Sequence, residues 1–297
     1  MYLDNMDSSM DEKVPLVTIG IPCYNVEQFI GFAVKSVLAQ TYTNFELIIT
    51  DDGSTDHTVD EIRKIQDSRI KFIVDGENHG ISFRLNQQID MAKGDFFIRM
   101  DGDDIMFPVR VERQLKYLME YPHIDVVGSG AVIIDDDNEI IGYRQDCVTQ
   151  NKPEDVINNP VFIHPTVCGR VSFFRKYKYD VELCGVEDKD LWCRGIQDST
   201  YAILQEPLMF YRDPLKFKLS TYLSRKRKGC LQILKRWHLF KSKRPAIKYV
   251  FDSIVKSIGA CILCKIGKES RFIANRNQKI NNEKYYTILL QKVLSTH

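Results

Sequence analysis

The sequence predicts an α/β domain with a parallel sheet, followed by a basic helical region. Within residues 14–100, four short apolar runs rich in β-branched residues alternate with three segments that have the apolar spacing of helices. This alternation is typical of a parallel sheet in which a helix connects each strand to the next. The runs are apolar at almost every position, as expected for strands buried on both faces.

Each element of this first part follows from a local pattern. Apolar runs without helical spacing predict four strands: residues 14–21, 45–50, 70–74 and 96–100. Apolar residues three and four positions apart predict three helices: residues 27–38, a helix that ends at residue 65, and residues 81–92. Ser54, Thr55 and Asp56 commonly cap a helix N-terminus, and Gly94 is suited to end the third helix.

The rest of the domain is predicted to contain fewer elements. A long helix follows Pro108 and ends at Tyr121, and residues 126–143 have the pattern of a β-hairpin that turns at residues 135–138. Residues 187–196 predict a further helix. We therefore expect a flexible, polar N-terminus over residues 1–13 and the α/β domain over residues 14–213.

The charge distribution separates the domain from the region after it. The chain has 41 basic and 40 acidic side chains and a formal net charge of +1, yet residues 1–213 sum to −16 and residues 214–280 to +16. Such asymmetry indicates two regions with different partners. Residues 214–297 are expected to form a basic, amphipathic helical region.

Composition excludes several classes of protein. Acidic residues precede any apolar run at the N-terminus, and no apolar run reaches ~18 residues, so neither a signal peptide nor a transmembrane helix is predicted. The eight cysteines are scattered and do not form a disulfide framework, and the lone Cys261–Cys264 pair is not a zinc site. A cytoplasmic protein with reduced thiols is expected.

Acidic residues cluster directly after two of the predicted strands: Asp51, Asp52, Asp101, Asp103 and Asp104. Ligands of open α/β sheets bind outside the carboxyl ends of the strands, so these carboxylates are expected to converge at one edge. Their mutual repulsion favours a divalent cation, and oxygen ligands on short loops suit Mg²⁺ or Mn²⁺.

The expected ligand of such a cation is a nucleoside diphosphate. A hard cation held by few carboxylates usually completes its coordination with substrate phosphates, and the sequence has none of the common glycine-rich phosphate loops. Asp-Gly dipeptides are also common turn residues, and either loop alone would be interpreted as a turn. Two acidic loops, each following a buried strand, favour a binding site.

The motifs together resemble the family 2 glycosyltransferases, which have the GT-A fold. The similarity covers residues 14–213 in consistent order and spacing, and it is carried by these segments: 17–25 (VTIGIPCYN), 36–42, 51–56 (DDGSTD), 78–81, Leu85-Asn86, Gly94-Asp95, 100–104 (MDGDD), 163–167 (IHPTV) and 186–194 (VEDKDLWCR). The resemblance implies a Rossmann-like, mostly parallel sheet with helices on both faces.

The resemblance also implies roles for individual residues. Pro22, Tyr24, Asn25, Asp52, Asn86 and Asp101 would bind the nucleotide sugar, with Asp52 accepting a hydrogen bond from the base and Asp101 holding the ribose or a metal-bound water. Asp103 would bind Mn²⁺ or Mg²⁺. Glu187 and Asp188 would form the catalytic pair, with Asp188 as the general base. For His164, a structural role and a contact with the metal or diphosphate are equally open.

The implied reaction is an inverting transfer of a hexose from a UDP-sugar. By analogy, the donor is UDP-glucose or UDP-galactose, and a β-1,3 bond forms to a sugar on undecaprenyl diphosphate during O-antigen or capsule assembly. A catalytically inactive binding protein, or an enzyme that uses a dTDP- or GDP-sugar, is the alternative. Residues 232–237 resemble the Q-x-x-R-W pattern of processive synthases, but Gln232 is one residue too far upstream, so single addition is expected.

The basic region would suit either nucleic acid phosphates or an anionic membrane surface. Residues 249–263 have helical amphipathic spacing, with the following apolar side chains on one face: Val250, Phe251, Ile254, Val255, Ile258, Cys261 and Ile262. Flanking lysines and arginines make this the pattern of an interfacial helix. We therefore expect peripheral attachment to the cytoplasmic face of the inner membrane and no nucleic acid partner; packing of this helix against the domain is the alternative.

Overall fold

The computed structural model describes residues 14–145, 150, 152–159, 161–213, 216–268, 271 and 277–295. The predicted flexible segment, residues 1–13, lies outside the described residues.

Among these residues, nine strands form one mixed sheet. Their bounds are β1 Val17–Cys23, β2 Phe45–Asp51, β3 Ile70–Ile73, β4 Phe96–Arg99, β5 Ile105–Met106, β6 Val126–Ile134, β7 Ile140–Arg144, β8 Cys168–Arg170 and β9 Tyr201–Arg212. The strand order is β3-β2-β1-β4-β8-β6-β9-β5, and β7 pairs with β6. Strands β1 to β4 pair in parallel, as the sequence predicts, whereas β8 joins both β4 and β6 antiparallel and β9 returns parallel to β6.

Ten α-helices surround this sheet in the described part of the chain. Their bounds are α1 Ile30–Leu38, α2 Thr58–Arg63, α3 Ile81–Met91, α4 Arg110–Glu120, α5 Pro153–Asn158, α6 Val171–Tyr177, α7 Glu187–Gly195, α8 Leu219–Lys235, α9 Arg244–Lys265 and α10 Glu283–Leu294. The predicted helices correspond to α1 to α4 and α7, and the helical prediction for the basic region to α8 to α10.

Hydrophobic cores lie on both faces of the sheet because side chains alternate along each strand. On β4, Ile98 packs in a cluster with residues of α1 and α4, whereas the adjacent Phe97 packs in a second cluster with residues of α3 and α6. The helices on both faces and the buried strands agree with the fold class expected from the sequence.

The sheet register brings the acidic loops together. Parallel pairing aligns Cys23 of β1 with Asp51 of β2, and Gly20 of β1 with Arg99 of β4. Strands β2 and β4 therefore flank β1 and end at the same edge, so the loop after each strand projects into the same region.

The basic region packs on the domain with one face and exposes another. Ile233, Phe240 and Ala246 belong to the second hydrophobic cluster, and α10 packs Leu290 and Val293 into a third. The outer face of α9 is apolar and exposed; its residues are Ile247, Phe251, Ile254, Val255, Ile258 and Ile262. None of the helices in the described part of the chain has the length and the apolar character that crossing a membrane requires.

Candidate active site

The loop after β2 carries two carboxylates: that of Asp51 stabilises the turn, and that of Asp52 lies in a cleft. Asp51 accepts hydrogen bonds from the backbone N–H groups of Gly53 and Ser54 at 3.1 and 3.0 Å, so it is the turn residue. Gly53 has a φ of +74°, and a Cβ there would lie 2.9 Å from the carbonyl carbon of Glu77. The turn therefore requires glycine, and it leaves the carboxylate of Asp52 in the cleft.

Asp52 is fixed by the loop before α3 and by Arg84. Its carboxylate accepts hydrogen bonds from the backbone N–H groups of His79 and Gly80 and, at 3.0 Å, from Nε of Arg84. Arg84 is fully buried, and it also donates two hydrogen bonds to Asp75. This arginine thus positions a residue of the cleft.

The loop after β4 gathers three carboxylates. Ligand oxygens of Asp101, Asp103 and Asp104 lie within 4.8 Å of one another. Burial, and next the charge of Asp101, raise the pKa of Asp103 to about 6. Burial, and next the charges of Asp103 and Asp101, raise the pKa of Asp104 well above its usual range. Oδ2 of Asp104 is buried without a hydrogen-bond partner among the described residues. An oxygen-only set with an unpaired buried oxygen fits a hard divalent cation.

Two arginines that sequence reasoning did not identify support this loop. Arg99, at the end of β4, is buried, and its guanidinium binds the carboxylate of Asp101, with a hydrogen bond of 2.7 Å from Nη1. Arg212, at the end of β9, donates from its backbone N–H to Asp104 at 2.8 Å and from Nε to the carbonyl oxygen of Asp103 at 2.9 Å. The sequence contains one indication of this role for Arg99, which is a charged residue within the predicted apolar strand before Asp101.

The two acidic loops line one cleft of about 240 Å³, which we call the donor cleft. Five of the predicted site residues line it: Pro22, Tyr24, Asp52, Asp101 and Asp103. Asn25 does not line it. Its φ is +52°, its backbone N–H donates to Oγ of Ser54, and its Oδ1 accepts from the N–H of Thr55 at 2.8 Å. Asn25 therefore joins the loop after β1 to the loop after β2.

Glu187 and Asp188 begin α7. Glu187 is buried and accepts a hydrogen bond from the backbone N–H of Gly185; burial, and next the charge of Asp188, raise its pKa to about 6. Burial also raises the pKa of Asp188, and a hydrogen bond from the backbone N–H of Lys189, with attraction to Arg99, Lys189 and Arg225, limits that increase. A carboxylate with a raised pKa is suited to accept a proton near neutral pH.

Tyr179 connects two other predicted residues, Asn86 and His164. The carboxamide of Asn86 pairs with the backbone N–H and C=O of Tyr179 at 2.8 and 2.9 Å, so both of its polar ends are engaged. Nε2 of His164 lies 2.9 Å from the hydroxyl of Tyr179, and burial, and next Arg99, hold the pKa of His164 well below its usual range. Neither residue lines the donor cleft or belongs to the three-carboxylate cluster, and their roles in ligand binding stay predictions.

A second cavity of about 300 Å³, which we call the Asp188 cavity, lies between α5, α7, α8 and α9. Its polar lining includes Asp188, Lys189, Lys226 and Tyr249. Trp192 is 1% exposed and packs edge-to-face on Phe162. Arg99 attracts Asp101 in the donor cleft and also Glu187 and Asp188, so one buried arginine acts electrostatically on carboxylates of both cavities.

Comparison with known proteins identifies the family. The family model described as glycosyl transferase family 2 matches residues 18–181. The putative glycosyltransferase EpsE of Bacillus subtilis (strain 168) is 33% identical over 220 residues, which are 70% of this chain and 78% of EpsE. WfgD of Escherichia coli, a UDP-Glc:alpha-D-GlcNAc-diphosphoundecaprenol beta-1,3-glucosyltransferase, is 34% identical over 124 residues, which are 40% of this chain and 49% of WfgD.

A solved structure shows the same fold. Residues 1–349 of S. aureus TarS in complex with UDP-GlcNAc superpose with a TM-score of 0.63 at 17% identity, over 80% of this chain and 71% of that one. The strand order, the convergence of two acidic loops and the family match over more than half of the sequence lead to one conclusion: this chain belongs to glycosyl transferase family 2 and has the GT-A fold.

Proposed function

We propose that this protein is an inverting, metal-dependent glycosyltransferase that moves a hexose from a UDP-sugar to a lipid-linked acceptor. The observation that carries the proposal is that Asp52, Asp101 and Asp103, from loops about 50 residues apart in sequence, line one cleft, while Asp188 lines a second cavity. Arg99 acts electrostatically on Asp101 and on Asp188, and a single displacement at the anomeric carbon needs a donor site and a base of this kind.

In this proposal the donor cleft binds the nucleotide. Asp52, held by Arg84 and by two backbone N–H groups, orients its carboxylate toward the base, and Tyr24 is exposed at the cleft, where its ring can contact the base or ribose. Asp101 is anchored by Arg99 and is positioned to accept a hydrogen bond from the ribose. UDP is favoured by analogy, since TarS binds UDP-GlcNAc.

Asp103 and Asp101, with Asp104 beside them, would hold Mn²⁺ or Mg²⁺. When bound, such a cation neutralises the charge that develops on the departing diphosphate. The backbone carbonyl of Asp103 accepts a hydrogen bond from Arg212, so the loop that carries this proposed metal ligand is fixed.

Asp188 accepts the proton of the acceptor hydroxyl as that oxygen attacks the anomeric carbon. The oxygen forms the new glycosidic bond, and the bond from the anomeric carbon to the diphosphate oxygen breaks. Because the base and the leaving group lie on opposite sides of the sugar, the configuration inverts, and an α-linked donor gives a β-glycoside. Glu187, next to Asp188 at the start of α7, is buried and accepts a hydrogen bond from the backbone N–H of Gly185, so we assign it a positioning role.

The acceptor is proposed to be a sugar on undecaprenyl diphosphate, in surface polysaccharide synthesis such as O-antigen, with a β-1,3 linkage. The printed activity of WfgD supports this acceptor class. The exposed apolar face of α9, within a region of net charge +16, supports peripheral attachment to the anionic cytoplasmic face of the inner membrane.

A donor screen tests the proposed function. The protein is incubated with UDP-, dTDP- and GDP-sugars, with Mn²⁺ or with EDTA, and release of nucleoside diphosphate is measured with and without acceptor. We expect release from a UDP-hexose only with the cation, and a fall in transfer of roughly 10²–10⁴-fold in Asp188→Asn. Lys178→Ala, an ion-pairing lysine outside both cavities, serves as the control variant. Full transfer activity of Asp188→Asn would overturn the assignment of the base, and turnover unaffected by EDTA would overturn the metal.

A further inference from the structure

Two lysines in the Asp188 cavity share one aromatic ring. Nζ of Lys189 lies 3.8 Å from the ring centroid of Tyr249, and Nζ of Lys226 lies 5.8 Å from the same centroid. The lysines belong to α7 and α8 and the tyrosine to α9, so three helices place two ammonium groups at one wall of the cavity. Cation–π contacts hold the two groups there without neutralising them.

The two ammonium groups have no carboxylate of their own. Among the residues that the structure describes, neither lysine forms an ion pair, and Asp188 is the one carboxylate that lines the cavity. Burial, with the charge of Lys226, lowers the pKa of Lys189 to about 8, although Cys193 and Asp188 oppose this shift. Burial and next the charge of Lys256 lower the pKa of Lys226, although Cys230 and Asp252 oppose that shift. An anion entering the cavity would relieve this repulsion.

The surroundings favour an anion with an apolar tail. Tyr249 lines the cavity, and Phe251, two residues further along α9, belongs to the exposed apolar face of that helix. A volume of about 300 Å³ is at the lower end for a small-ligand site. It suits a monosaccharide and a phosphate group, so a hydrocarbon chain would have to lie outside the cavity.

We propose that the Asp188 cavity binds a glycosyl diphosphate, with Lys189 and Lys226 on its phosphate oxygens and the acceptor hydroxyl at Asp188. Lysine binds phosphate as a point charge, and two such charges match a diphosphate diester. This assignment rests on the proposed function for the role of Asp188 alone. The binding of the diphosphate itself does not require turnover.

Calorimetry on the full chain tests the binding step. The two ligands are an N-acetylglucosaminyl diphosphate with a short alkyl chain and the alkyl glycoside of the same sugar without the diphosphate. We expect the diphosphate to bind at least ~10-fold more tightly than the glycoside, and Lys226→Ala to reduce that ratio by ~10-fold, as for the loss of a charged hydrogen bond. Lys226→Arg should retain most of the ratio. Lys248→Ala, which removes an exposed charge next to Tyr249, should leave the ratio unchanged.

Each outcome decides a specific point. Equal affinity of wild type for both ligands, or an equal loss for both in Lys226→Ala, would overturn the proposal. Inorganic pyrophosphate that binds as tightly as the ester would assign the lysines to free phosphate and would also overturn it. Selective binding of the diphosphate ester without hydrolysis of any nucleotide sugar would support this site and refute the proposed function, so the two failures are distinguishable. Thermal unfolding of each variant confirms that it is folded.

Discussion

The exposed face of α9 gives a quantitative prediction for membrane binding. The substitution Phe251→Ser removes the most exposed apolar side chain of that face, which is 65% exposed and therefore contributes little to the packing of the protein. Its neighbours on the face, Ile247, Ile254 and Ile258, remain. The variant should fold normally and bind anionic vesicles more weakly.

The size of the effect follows from the exposed area. A phenylalanine side chain has a surface of roughly 200 Å², so a 65% exposed one offers about 130 Å² to the lipid. At ~25 cal/mol per Å², complete withdrawal of that area from water contributes about 3 kcal/mol. The vesicle partition coefficient of Phe251→Ser should therefore fall by up to about two orders of magnitude.

Co-sedimentation with vesicles measures this partition. Vesicles with and without anionic lipid, at low and high salt, separate the apolar contribution from the electrostatic one. The control is Ile288→Ser, which removes an apolar side chain that is also largely exposed but lies on α10. Equal partition of wild type and Phe251→Ser, or an equal loss in Ile288→Ser, would refute the assignment of this face, as would a wild type that stays in solution at low salt.

Two further predictions concern buried charges. Arg84→Met should lower the free energy of unfolding by about 3 kcal/mol in urea denaturation, since it leaves the carboxylate of Asp52 without its cation; Arg113→Met, at the surface, is the control, and an equal loss there would contradict the reasoning. Glu187→Gln should stabilise the protein at pH 7 by about 2 kcal/mol. The pKa of Glu187 in the fold is about 6 against an ordinary value of 4.5, so the wild type loses stability as the pH rises through this interval, and glutamine does not ionise. Denaturation of both proteins from pH 4 to 7.5 should show that the extra stability of Glu187→Gln disappears below pH 4.5. Extra stability that does not depend on pH would contradict this reasoning.

The sequence predicts the first half of the fold well because its signals are local. Strands β1 to β4 are continuous apolar runs, and α1 to α4 have regular apolar spacing, so each is recognised without knowledge of the rest. Strand β9 was not predicted. It is 12 residues long, but Gln205, Glu206 and Pro207 interrupt its apolar pattern, and it is fixed by pairing with β6, some 75 residues earlier. Strands β5 and β8, with two and three residues, have too few positions to produce a pattern.

The acidic residues of the site were predictable from the sequence, but the residues that hold them in place were not. The carboxyl ends of adjacent parallel strands meet, so Asp52 and Asp103 were expected near each other, and they line the same cleft. The burial of Arg84 could not be predicted, because its partners are 9 and 32 residues away in sequence and a single arginine on a helix has no local pattern that indicates burial. Arg212 and Tyr179 reach the site only through the tertiary fold, and nothing in their immediate sequence indicates this.

Tyr249 and Phe251 lie close together on α9. If α9 binds a membrane as proposed, this short separation limits the distance between the bilayer and the Asp188 cavity. One residue lines the Asp188 cavity, the other is exposed on the apolar face, and both belong to a helix only about 10 Å across. A sugar attached directly to a membrane-anchored diphosphate lies at that height, whereas the end of a longer glycan extends well above it. An enzyme bound to the membrane through α9, as proposed, would thus reach a sugar attached directly to the diphosphate and not the end of a longer glycan, which would favour a single addition.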